Sequence, residues 1–129
     1  MKMMALSVKQ PWADLIVSGV KDVENRTRFT NRRGPLLIHA SKQWSKDEYA
    51  HLFGEPEDFI FGAIIGMVDL QNCVANHDSD WFEGPYGLVL KNARKFPVPA
   101  PYKGRLGFFV VDVDFIAGHE NWVPIAGAP

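Results

Sequence analysis

The chain has 129 residues, 47% of them hydrophobic, with a formal net charge of −1. That size and composition predict a single globular domain with a real core and exclude a disordered chain. A lone cysteine, Cys73, excludes an internal disulfide and suits a reducing cytoplasm, and the most apolar run, residues 59–68, is too short to cross a bilayer as a helix.

The start, MKMMALSVKQPW, lacks the long apolar stretch of a secretory leader. Residues 4–8 alternate weakly and predict a first strand. A short helix is expected over residues 11–18: Pro11 suits a first turn, Gly19 suits the position past the end, and Trp12, Leu15 and Ile16 share one face. Residues 23–29 predict a strand with Glu24, Arg26 and Arg28 on one face. Residues 35–40, PLLIHA, predict a more buried strand. A weaker helix is expected over residues 44–53, with Ser45 and Glu48 spaced as a capping box. A long strand follows over residues 61–74, with a bend at Gly62 or Gly66. Residues 76–84 form a polar, Asp-rich loop. Residues 86–90 and 107–115 predict strands, with Pro97, Pro99 and Pro101 in an extended connector between them. Residues 119–129 are expected to form a partly ordered tail. Many strands and two short helices predict a small α+β domain with a curved or closed sheet.

Charge is uneven along this chain. Residues 1–46 carry nine Lys/Arg and three Asp/Glu, a net +6, and residues 47–129 carry a net −7. Five of the cations, Lys21, Arg26, Arg28, Arg32 and Arg33, fall within residues 19–34, GVKDVENRTRFTNRRG. Guanidinium groups in a row offer planar forks of donors that suit phosphate. The competing explanation is a solvated strand face whose charges pair with one another at little energetic consequence. Lys21 in a cation-crowded cleft is a candidate base or nucleophile, and Glu24 either locks its cationic neighbours or exchanges a proton with a ligand.

The order of motifs over residues 5–42 resembles the activating-signal-cointegrator homology (ASCH) domain. The resemblance rests on LSVKQPWADLIVSG, on Gly19-x-Lys21-x-x-Glu24-x-Arg26, on Arg33-Gly34, and on the strand ending His39-Ala40-Ser41. Downstream, Trp81-x-x-Gly84-Pro85-Tyr86-Gly87 is similar to the same subgroup. The resemblance implies a PUA-like β-barrel with short helices packed on it, in one domain over residues 1–129. It implies a link to RNA, with DNA or cleavage chemistry in some members. It also places the start of the first helix beside the cleft. There Gln10 is a candidate to read a base edge, Trp12 a candidate stacking platform or a core residue, and Lys9, Ser41 and Lys42 candidate rim residues.

In relatives that hydrolyse an acylated cytidine, the lysine of this signature is joined by a threonine and a distant glutamate. Lys21 matches, but Glu24 stands where the threonine would be. Asp78, Asp80 and Glu83 are candidates for the distant carboxylate. No metal motif and no nucleotide-cofactor loop occurs, and a cofactor-free site is expected. Three functions follow: an RNA-binding domain that grips single-stranded or flipped-out nucleotides, a metal-independent ribonuclease or nucleoside amidohydrolase, and a protein-interaction module.

Overall fold

The computed structural model describes residues 1–122. Six strands form one sheet in the order β2-β5-β4-β3-β1-β6. They are β1 (Lys2–Gln10), β2 (Val23–Arg26), β3 (Gly34–Trp44), β4 (Ala63–Val74), β5 (Tyr86–Pro101) and β6 (Phe108–Asp112), with one α-helix, α1 (Trp12–Val17), between β1 and β2. Only β1 and β3 run parallel.

Alternation along the central strands divides the core in two. Leu6 and Val8 of β1, with Leu36, Ile38 and Ala40 of β3, join Ala13, Ile16 and Val17 of α1 in one cluster. Ala5 and Leu37, one position out of phase, join Ile64, Met67, Phe109 and Val111 in the other. The buried stripe of α1 is therefore Ala13, Ile16 and Val17, whereas Trp12 and Leu15 are only half-buried. Gly66 lets α1 approach β4. A Cβ there would lie 2.2 Å from the Arg94 carbonyl oxygen and 2.6 Å from Val17 Cγ1. The register of β4 against β5 slips between Ile64 and Gly66, where the sequence predicts a bend.

The closed barrel expected from the sequence is not formed, because the edge strands β2 and β6 do not pair. β2 is four residues long and β6 five, so both edges of the sheet are short. A side chain bridges part of the gap instead. Arg26 at the end of β2 donates through Nη2 to the Ser7 carbonyl oxygen of β1 at 3.2 Å.

Two other expectations change. The helix predicted over residues 44–53 is absent: β3 runs on to Trp44, and only Ala50–Phe53 turns as a 3-10 segment. Ser45 does not cap a helix; its hydroxyl accepts from the Asp47 amide at 3.1 Å in a tight turn. The capping-box geometry lies further on, between Glu55 and Asp58. The proline-rich connector is a continuous part of β5. The sheet tolerates it because β5 pairs irregularly with β4 there, through repeated register shifts. Of the expected tail, His119–Asn121 form a 3-10 turn and Trp122 stacks on Phe96 at 4.8 Å; the rest lies outside the described residues.

Candidate nucleotide-binding site

A pocket of about 510 Å³ opens where β1, β2 and β3 converge under the loop of residues 102–106. The odd-numbered residues that fill the second core continue into it. Beyond Ala5 and Leu37 come Ser7 and His39, then Lys9 and Ser41. Ser7 and His39 are register partners in the parallel β1–β3 pair, so their side chains stand together. Ser7 Oγ lies 3.2 Å from His39 Nδ1, and His39 Nε2 lies 2.7 Å from the Tyr102 carbonyl oxygen. A carbonyl only accepts, so Nε2 carries the ring proton and Nδ1 accepts from the Ser7 hydroxyl. Burial holds the imidazole below its ordinary range, partly opposed by the bond to Tyr102.

This pair pins the 102–106 loop. Tyr102 N donates to the Gly62 carbonyl at 3.0 Å, and Ser7 N donates to that of Gly107 at 3.1 Å. Between those anchors Gly104 presses on the pair. A Cβ there would lie 2.3 Å from His39 Cε1 and 2.9 Å from Ser7 Oγ. Lys103 and Arg105 flank that glycine, are exposed, and line the pocket.

β2 supplies the charged wall. Glu24 is paired on both oxygens: Oε1 lies 3.1 Å from Lys21 Nζ, and Oε2 accepts from Arg26 Nη2 at 3.0 Å. Lys21 is 5% exposed. Its ammonium also donates to the Val23 carbonyl and sits 5.4 Å from the centre of the Trp81 ring. Lys21 thus stands behind Glu24 and does not line the pocket, whereas Glu24 and Arg26 do. Arg26 Nε is buried without a partner among the described residues. Trp81 is carried to Lys21 by a loop stapled to β2. Asn25 bonds the Trp81 carbonyl and the Glu83 and Gly84 amides, and Ser79 bonds Asp22.

Of the other residues singled out in the sequence, Lys9, Trp12, Ser41 and Lys42 line the pocket. Trp12 stands edge-on to Phe53 and Trp81, with ring centres 5.6 Å and 6.1 Å away. Gln10 is buried with both ends of its amide engaged. Nε2 donates to the Ile60 carbonyl at 2.8 Å, and Oε1 accepts from the Asp14 amide at 2.9 Å. Arg28 lies past the end of β2, in the exposed segment that follows. Arg33 is turned into its own loop, bonding the Thr30 and Arg32 carbonyls and Asn72. Arg32 stacks on Phe108 at 5.5 Å. Asp78, Asp80 and Glu83 do not line the pocket, where Glu24 is the carboxylate. Sequence reasoning missed Ser7, His39, Lys103 and Arg105. The readable signal was YKGRLG, two cations around a glycine between strands. Among the described residues, no group of three or more His, Cys, Asp or Glu side chains could hold a metal ion, and no helix is long and apolar enough to cross a membrane.

Comparison with known proteins agrees with the motif order. Activating signal cointegrator 1 of Homo sapiens is 34% identical over 127 aligned residues, and that of Mus musculus 32%. Each alignment covers 83% of this chain but 22% of the relative, so the chain corresponds to a small part of those proteins. Two crystal structures of mutant ZmASCH proteins from Zymomonas mobilis share the fold, with TM-scores of 0.57 and 0.55. Both are 16% identical to this chain and cover 88% of it, and they are themselves covered over 96% and 98% of their length. The ASCH domain profile matches residues 6–111, and the chain belongs to the ASCH domain family.

Proposed function

We propose that the pocket under the 102–106 loop binds a nucleotide of single-stranded RNA, with single-stranded DNA as a weaker ligand. One observation carries this reading. Lys9, Lys42, Lys103 and Arg105 surround the pocket and have no ionic partner among the described residues, while its one carboxylate is already neutralised by Lys21 and Arg26. Unpaired cations around a polar floor suit a phosphate-bearing ligand. Trp12 on the wall would be the aromatic partner of a base, and Ser7, Ser41 and Arg26 would supply hydrogen bonds to base or sugar. The volume falls within the range of small-ligand pockets, about 300–1,000 Å³, and suits one unstacked nucleotide.

The test is fluorescence anisotropy with labelled octauridylate in EDTA, for the wild type and for the Lys9→Gln, Lys42→Gln double variant. At least tenfold weaker binding by the variant is expected. Equal binding by both proteins, or none by the wild type, would refute the reading.

The position of Glu24 favours a second reading, metal-independent hydrolysis of RNA or of an acylated nucleoside amide. Glu24 faces the pocket with both oxygens oriented, and Lys21 stands behind it as a positioning residue. Glu24→Gln would then abolish turnover of RNA or of N4-acetylcytidine while leaving octauridylate binding in place. Turnover that survives this change excludes Glu24 chemistry.

A further inference from the structure

The 102–106 loop has two sides. Tyr102, Lys103, Gly104 and Arg105 line the pocket already described, and they also line a larger, open cleft of about 940 Å³ whose other walls are Phe108, Phe109 and Val110. No acidic residue lines that cleft. Phe108 is half-buried, and the Arg32 guanidinium lies over its ring at 5.5 Å. Leu106 at the loop's end is fully exposed, and Val110 is 55% exposed. Arg32, Lys103 and Arg105 have no ion pair among the described residues.

We propose that this cleft is a second nucleotide subsite, so that one strand runs from the Glu24–Arg26 pocket over the 102–106 loop and onto Phe108 and Arg32. The inference rests on the single-strand reading of the first pocket and extends it to a minimum ligand of two nucleotides. Continuity supports it, because the same four loop residues form a wall of both sites. Chemical order supports it as well. Along that path the protein presents hydrogen-bonding groups, then the cations Lys103 and Arg105 on the crest, then an aromatic ring capped by a guanidinium. A single strand presents base, phosphate and base in the same order.

The crest is also rigid. Gly104 rests against His39 and Ser7, and both ends of the loop are hydrogen-bonded to the rest of the fold, so the backbone that carries Lys103 and Arg105 is held in place before a ligand arrives. Arg32 explains why the sequence holds cations beyond β2. The charges of residues 19–34 do not act as one patch: Arg26 serves the first site and Arg32 the second.

The test is competition against labelled octauridylate by UMP, the dinucleotide pUpU, U8 and dT8, with wild-type protein and Arg32→Gln. Arg32 is exposed, so the variant should fold, and its melting curve checks that. We expect pUpU to compete at least tenfold better than UMP on the wild type. Arg32→Gln should remove that gain and leave UMP competition unchanged, and U8 should outcompete dT8. Equal competition by UMP and pUpU overturns the second subsite alone. A variant that weakens UMP and pUpU equally, or neither, does the same. Poly-glutamate that competes as well as U8 at equal charge would make the cleft a general polyanion surface and overturn the inference. No octauridylate binding at all would remove the first reading, and this one with it.

Discussion

Lys21 and Glu24 stand three residues apart and form a nearly buried ion pair, which the turn after α1 makes possible. The ammonium has three partners: a backbone carbonyl, a carboxylate and the Trp81 ring. Removing it leaves Glu24 with Arg26 alone and the Val23 carbonyl unpaired. Lys21→Ala should therefore cost about 1–3 kcal/mol of stability, read as a lower urea midpoint at unchanged slope. A variant as stable as the wild type would mean that the ammonium is not engaged in solution. His39 gives a pH signature at the same scale. Its folded-state pKa lies below the ordinary 6.5, because burial disfavours the charged ring. As pH falls below about 6.5 the unfolded chain takes up this proton before the folded one does. The contribution is intact above that pH and is lost below it, at up to about 1.4 kcal/mol per pH unit until the folded pKa is reached. Urea melts at pH 7.5, 6.5 and 5.5 should show that slope, and His39→Gln should flatten it.

At the scale of elements, the site depends on a strand that ends early and a loop that is held down. The alternation of Glu24, Arg26 and Arg28 was readable, but the end of β2 at Arg26 was not. The consequence is that Arg28 leaves the face that its spacing assigned to it. The long strand β4 was legible nearly to its ends, because its first half is a continuous apolar run buried on both faces. The segment after β3 misled because Ser45 and Glu48 are spaced as a capping box, yet β3 runs on to Trp44, which packs against Phe59, and the chain then turns as a 3-10 segment at Ala50–Phe53. The pairing of Ser7 with His39 was invisible for another reason. It depends on a parallel register between strands far apart in sequence, which no local pattern encodes. Gly104 tests the loop. Gly104→Ala must move the loop off His39 and Ser7, so octauridylate affinity should fall at least tenfold while the melting temperature changes little. Gly66→Ala is the contrast. Its Cβ meets backbone in the core, so it should lower stability well beyond the usual exposed Gly-to-Ala change. If Gly104→Ala bound RNA normally, the loop would not need its present position.

For the whole molecule, a net charge of −1 hides a basic first part and an acidic remainder, and the fold decides which cations come together. Lys103 and Arg105 come from the half of the chain with net charge −7, yet the loop sets them beside Lys9 and Lys42 from the half with +6. The 76–84 loop is held to the β2 region through the Ser79 hydroxyl and the Glu83 backbone amide, and its acidic residues Asp78, Asp80 and Glu83 do not line this pocket. A strand crossing both sites would meet Lys9, Lys42, Lys103, Arg105 and Arg32. Neutralising phosphates with five cations gives an expected slope of log K against log salt of roughly −3.5 for single strands. Affinity for octauridylate should then fall about a hundredfold between 50 and 200 mM salt. Arg105→Gln should reduce the slope by about 0.7, whereas Lys91→Gln, away from both clefts, should leave it unchanged. A shallow slope with tight binding would instead place the affinity in Trp12 and the polar floor. The cations would then act chiefly on the rate of encounter.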